Sequence, residues 1–367
     1  MNIDSDIKEI YKGIEHFLNN LKKPEEDFSF FPALKGLTND GKKLSLGFSC
    51  YALKIYYMLG KTKNIDNLVD WAVYINSFQR DEKGLPRNSY VDSHLKASYE
   101  EIDFISSSKE SIKALLNFLS IKDFETRGNK FKKAINAETK QAISTLYEIN
   151  HPNQKLIENE FGEFKNLELF LNNLNWNLPW DAGAQFSSFC VYSKTQNFNI
   201  NSDLINFISG KVDVETGSYF DTRPSNPRQI INGAMKVITG LDWLGEEIHY
   251  PKNLIDFCLD NKPVQEGCDI VDFVYTLYMC SKQTDYKKKE INDLFLDITK
   301  DIFSLYFKEE GGFSYFQDKS QSHYYGIKIT DSLKTPDLHG TLLCLWAINM
   351  ILDNIERLED DKQIIKP

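Results

Sequence analysis

Residues 266 to 280 read EGCDIVDFVYTLYMC, a thiol and two carboxylates directly ahead of an apolar and aromatic run. On a helix Cys268 and Asp272 stand at i and i+4, and Asp269 and Asp272 at i and i+3, so each pair shares a face. Two carboxylates that close repel, and enclosure disfavours both charges. One of them then binds its proton tightly enough to serve as a general acid. The structural alternative is a helix cap plus a carboxylate paired with Arg or Lys.

A second candidate is His339, which follows Thr335, Pro336 and Asp337 closely and precedes Gly340. A helix-start histidine beside Asp337 can be a base, a proton donor or a metal ligand, or it can serve only the cap. His323, Tyr324 and Tyr325 lie in KSQSHYYGIKITDSLKTPD, a loop long enough to fold over a mouth. Arg223 and Arg228 flank two prolines just before Asn232 in DTRPSNPRQIING. Their guanidinium groups suit a carboxylate or phosphate, and equally the acidic side chains around them. Trp180, next to Asp181, is a ring that could stack on a sugar face. No Walker loop, GxGxxG, GxSxG elbow or paired CxxC occurs, so nucleotide, serine hydrolase and zinc finger readings fall away.

Helical periodicity dominates, and the helices needed to position these residues are of two kinds. Amphipathic ones with a charged face are expected at residues 6–22, 64–79, 108–120, 164–174, 201–209, 251–260 and 286–307. Segments apolar on nearly every side are expected at 45–60, 137–149, 181–194, 231–245, 269–280 and 338–351. A helix apolar all round must be enclosed by protein. Six of them interleaved with amphipathic partners predict an all-α fold, an (α/α)6 toroid of six inner and about six outer helices; an open solenoid of the same hairpins is the runner-up. The inner helices of a toroid run parallel. Asp181, Asn232, the Asp269 and Asp272 pair, and Asp337 with His339 would then open four of them at one mouth, where helix N-termini favour anions. No low-complexity linker divides the chain, so residues 1–367 read as one domain with 353–367 as a short C-terminal tail. Three loops, at 78–90, 212–223 and 307–316, each place acidic residues before a glycine and an aromatic after it, as a tight hairpin turn would.

At 367 residues, with 41% hydrophobic and 26% charged residues, the chain can bury a large core. Its 25 Phe, 18 Tyr and 5 Trp suit either that core or a broad aromatic cavity. A net charge of −10 argues against nucleic acid or anionic membrane as a partner. No run reaches the ~18 apolar residues of a membrane span, and the first residues lack a signal-peptide core. The six cysteines are scattered, which predicts reduced thiols and a cytoplasmic protein.

The alternating hairpins, the EEGGFSYF turn, VDFVYTLY and DLHGTLLCLWAI resemble the toroids of terpenoid cyclases and protein prenyltransferase β subunits over about residues 40 to 352. The resemblance implies an apolar, isoprenoid-type substrate in a central cavity, with Asp272, or its pair with Asp269, as the acid. It also implies zinc held by Asp272, Cys268 and His339, although the family's cysteine position falls on Val274 here, and neither DxDD nor DDxxD occurs. A second expectation is a carbohydrate lyase or hydrolase, since (α/α)6 toroids also host these. Asn232 and Arg223 would then neutralise a substrate carboxylate, and His339 or a loop tyrosine would take the α proton. A third is a toroid without catalysis that binds a protein or small ligand.

Overall fold

The computed structural model describes residues 3–101, 126–158, 164–263 and 267–367. The chain is all-α, with fourteen α-helices among the described residues; the helix expected at 108–120 lies outside them. The six apolar segments form α3 (Leu46–Met58), α6 (Arg127–Glu148), α8 (Pro179–Thr195), α10 (Pro227–Leu244), α12 (Gly267–Ser281) and α14 (Leu338–Asn354). Between them run α1 (Ile3–Leu21), α2 (Asn39–Lys43), α4 (Leu68–Asn76), α5 (Ser93–Glu100), α7 (Phe164–Asn172), α9 (Asn201–Ser209), α11 (Pro251–Asp260) and α13 (Lys288–Phe303).

The apolar helices pack in a fixed sequence. α3 contacts α6, α6 contacts α8, and so on through α10 and α12 to α14, which returns to α3. Side-chain pairs advance together along neighbours: Asn136 to Gln185 and Lys140 to Ser187 join α6 to α8, while Asn232 to Asp269 and Lys236 to Asp272 join α10 to α12. Neighbouring apolar helices therefore run parallel. α8 and α10 approach closest because glycine lets them: a Cβ on Gly233 would stand 2.6 Å from Pro179, and one on Gly240 2.8 Å from the Cys190 sulfur. α14 is buried on nearly every side from Leu338 to Leu352, while α6, α8 and α10 expose some residues, such as Lys132, Tyr147, Asp181 and Arg228. Each fully buried Leu, Ile or Phe there contributes roughly 1.5–3 kcal/mol.

The three acidic-glycine-aromatic loops fold alike. Gln79 pairs with Tyr90, Val212 with Tyr219 and Tyr306 with Phe313 in short antiparallel hairpins. Gly84, Gly217 and Gly311 turn each one at positive φ, and the aromatic behind the turn is fully buried. A fourth copy follows α1: Lys22 pairs with Phe30, and Phe28 holds φ 63° where the others have glycine. Its missing glycine hid it in the sequence.

The segment after α14 folds back as a strap. Gln363 donates to the Met58 carbonyl of α3, Lys366 N to Glu148 of α6, and Lys366 Nζ to the Asp242 carbonyl of α10. Ile365 is buried in the core. The strap thus covers the C-terminal ends of three apolar helices, whose carbonyls attract a cation.

Candidate functional site

The helix starts differ from those expected. α10 begins at Pro227, capped by Asn226, which accepts from Arg228 N, so Asn232 lies in the second turn. α8 begins at Pro179 behind Leu178, so Asp181 is a first-turn residue, half-exposed and bound by Lys133. Proline at the first helical position, with its fixed φ and missing N–H, sets both starts earlier than the polar residues indicated. Asp337 does cap α14. Its Oδ1 accepts from Gly340 N at 2.8 Å, and its Oδ2 accepts from Tyr315 N at 2.7 Å and Gln321 N at 3.0 Å. Both oxygens thereby hold the 315–321 loop against α14, and burial raises the Asp337 carboxyl to about 7 against the pull of these backbone donors.

Asp269 and Asp272 are not a carboxylate dyad, because each has its own cation. Arg228 Nε reaches Asp269 Oδ1 at 2.6 Å and Asn232 Nδ2 reaches the same oxygen at 2.7 Å. One turn deeper, Lys236 Nζ lies 3.2 Å from Asp272 Oδ1, and Asp272 Oδ2 is buried without a hydrogen-bond partner. Burial pushes the Asp272 carboxyl up to about 6, against the pull of Lys236; the Asp269 charge adds a smaller push.

Around this carboxyl all six apolar helices contribute a side chain. α14 brings His339, its ring stacked at 4.7 Å and 9° on Tyr51 of α3, with Nδ1 buried and unpartnered. Burial, helped by Lys236, lowers this imidazole to about 3 and keeps it neutral. α12 also brings Cys268, whose sulfur accepts from the Tyr315 hydroxyl at 3.0 Å and whose thiol is pushed up to about 11, mainly by burial. α6 supplies Lys140, which donates to Ser187 of α8 at 3.3 Å, and Glu138, which accepts from the Tyr324 hydroxyl at 3.0 Å. Burial raises Glu138 well above the carboxylate range, leaving Oε2 unpartnered. α10 supplies Lys236. Lys140, Lys236, Cys268, Tyr315 and His339 are each partly exposed, and burial is the largest influence on the ionisable groups of Lys140, Cys268, Tyr315 and His339, the pattern that a recess between the helices would leave.

Above the recess, Arg228 lies 5.3 Å over the Trp180 ring, between two clefts. One, of about 200 Å³, is lined by Arg228, Asn232, Lys262, Asp269 and Phe273. The other, of about 290 Å³, is lined by Trp180, Asp181 and Gln229. The 317–336 loop folds over from the other side through a small hairpin, His323–Tyr324 with Ile327–Lys328. It buries Tyr324 against Phe48 and Tyr51 and sets Tyr325 at positive φ beside it, while His323 stays exposed. Arg223 belongs elsewhere, pairing at 2.8 Å with exposed Glu215.

Among the described residues no three His, Cys, Asp or Glu side chains are placed to hold a metal ion together. Asp272, Cys268 and His339 do not form such a cluster: Asp272 contacts Lys236, Cys268 contacts Tyr315, and the His339 ring stacks on Tyr51 with Nδ1 unpartnered. None of the described helices is long and apolar enough to cross a membrane, and all six cysteines are free thiols.

Sequence reasoning missed Lys140, Lys236 and Glu138. The signal was available: Lys54, Lys140 and Lys236 are lysines inside otherwise apolar helices, where an ammonium needs a partner. No family profile, no curated protein and no solved structure matches this chain.

Proposed function

We propose that the six apolar helices close into an (α/α)6 toroid and that the chain is an enzyme performing acid–base chemistry on a polar, sugar-type molecule bound in its recess. The closed order of helix contacts and their parallel sense support the toroid. The observation that carries the activity is the Asp272 carboxyl: buried, held on one oxygen by Lys236, unpartnered on the other, and raised to about 6. Such a group donates a proton near neutral pH. An isoprenoid chain calls for a dry, apolar chamber, whereas this recess holds two lysines, a histidine and several hydroxyls. That polarity favours the carbohydrate reading over the isoprenoid one.

Between hydrolysis and elimination, the second carboxylate decides. Hydrolysis needs a carboxylate free to act as nucleophile or base opposite the acid. Asp269 is paired on Oδ1 with Arg228 and Asn232, which draws its charge away from attack although Oδ2 is buried without a partner, and burial favours the protonated form of Glu138. Elimination is the better fit: His339 Nδ1, unpartnered and made more basic than its resting value of about 3 by the negative charge that develops on the substrate, takes a proton from carbon, the C–O bond to the leaving group breaks, and Asp272 protonates the departing oxygen. A screen of oligosaccharides read by ultraviolet absorbance and by reducing ends tests this. New double bonds lost in Asp272→Asn support elimination. Reducing ends without double bonds indicate hydrolysis, and turnover of a prenyl diphosphate with neither signal restores the isoprenoid reading.

A further inference from the structure

We infer that Lys140 and Lys236 together form a carboxylate-binding pair, so that the molecule taken into the recess is an anionic sugar rather than a neutral one. The inference rests on the recess being the substrate site, as proposed above, and adds the class of substrate.

Of the seven lysines in the apolar helices three, Lys54, Lys140 and Lys236, lie away from the helix starts and final turns among mostly buried neighbours, and their partners differ. Lys54 of α3 is clasped by both oxygens of Glu148 at 3.1 and 3.2 Å, and Lys236 reaches one oxygen of Asp272. Lys140 has a neutral hydroxyl, that of Ser187, at 3.3 Å, and forms no ion pair with the described residues. An enclosed amine without a counter-ion sheds its proton readily and regains it when a bound anion supplies the charge. The groups that act on Lys140 come from every neighbour: Lys236 of α10 and Lys54 of α3 repel its charge, while Cys190 of α8 and Asp272 of α12 favour it. Burial is the largest influence, and the amine falls to about 7. Asp272 carries at most one negative charge and is already paired with Lys236, so Lys140 has no counter-ion of its own among the described residues. The local balance is therefore positive in a chain whose total charge is −10, which selects one anion here while the outer surface repels long polyanions. Arg223 and Asn232, the residues the sequence suggested for this task, are occupied by Glu215 and Asp269.

A carboxylate beside Lys140 raises its pKa, so binding above pH 7 draws a proton from solution. The experiment is calorimetric titration of the full chain with glucuronate and with glucose, at pH 8, in two buffers of different ionisation enthalpy. The expected result is at least tenfold tighter binding of glucuronate, with proton uptake on the order of one per site. Lys140→Met loses that preference and the uptake, glucuronate affinity falling to that of glucose. Lys140→Gln, which keeps the contact with Ser187, gives the same loss and guards against a folding defect in the first variant. Equal affinity for the two sugars, or a preference that survives both variants, overturns the carboxylate pair and leaves the sugar reading standing. Binding of neither sugar to the unaltered protein overturns both.

Discussion

Among the described residues two lysines pair with an almost wholly enclosed carboxylate, and the two pairs are built to different standards. Lys54 and Glu148 are each almost wholly enclosed and meet through both carboxylate oxygens, one of which also accepts the Lys366 amide of the C-terminal strap. Lys236 and Asp272 meet through one oxygen at 3.2 Å, and the other oxygen has no partner. Around the first pair every polar atom is answered and the strap closes over it. Around the second, His339 Nδ1 and Glu138 Oε2 are unanswered as well. A completed pair fixes helices to one another, and an incomplete one keeps capacity for a ligand.

The sharpest way to break this comparison is to remove one carboxylate from each pair. Glu148→Ala strands Lys54 in the interior and deprives the strap of an acceptor, so it is expected to cost about 3–5 kcal/mol, read as a lower urea midpoint. Catalytic constants of the protein that remains folded should be unchanged. Asp272→Asn should do the reverse. Turnover is expected to fall at least ~100-fold, as loss of a general acid does, with stability at neutral pH altered by no more than ~1 kcal/mol. If Asp272→Asn unfolds the protein and Glu148→Ala does not, the two roles are exchanged.

Acidity is shared by the two pairs, since burial raises Glu148 to about 7 as well, and it is at Asp272 that its consequence for activity is tested. The Asp272 carboxyl is raised from 3.8 to about 6 by burial. A carboxyl raised on folding contributes stability that is fully present below its unfolded pKa, here below about pH 4, and that contribution is lost as pH rises through 6. Relative to Asp272→Asn, the unaltered protein should therefore lose about 3 kcal/mol between pH 4 and pH 7, measured by denaturant titration at each pH. Activity that depends on the protonated acid should decline over the same rise through pH 6. A difference that is flat with pH would mean that the carboxyl titrates as an ordinary exposed one.

Why the first pair and the second recess were unequally legible follows from what each leaves in the sequence. The six apolar helices were readable because a stretch such as residues 338 to 351, apolar on every face, has one physical solution, enclosure. Helix starts were less so, since Asp181 and Asn232 have cap-forming side chains while Pro179 and Pro227 set the actual beginnings. Asp272 was legible from its spacing, but its partner was not: Lys236 comes from a different helix and Lys140 from a third, and pairing across helices has no local signature. The strap was invisible for the same reason, because Ile365 looks like any residue of a polar tail until its burial is known.

The smallest expected effect separates scaffold from site most cleanly. Of the hairpin glycines, Gly84 turns at φ 79°, and the nearest atom to a methyl group added there would be Lys132 Cε at 3.9 Å. Gly311, by contrast, has the Gly13 carbonyl oxygen 2.3 Å from where its Cβ would stand. Gly84→Ala therefore carries only the conformational cost of a left-handed residue, about 1–2 kcal/mol. Gly311→Ala adds a backbone collision to that cost and should destabilise more. Phe28, in the hairpin that lacks glycine, bears the same strain and offsets it by stacking at 5.4 Å on Trp71. Thermal melts of the two alanine variants should rank Gly311→Ala below Gly84→Ala, and neither should alter turnover per folded molecule. A fall in turnover for Gly84→Ala without loss of stability would mean that the 79–90 hairpin reaches the recess, and that the division between the two lysine pairs is drawn too sharply.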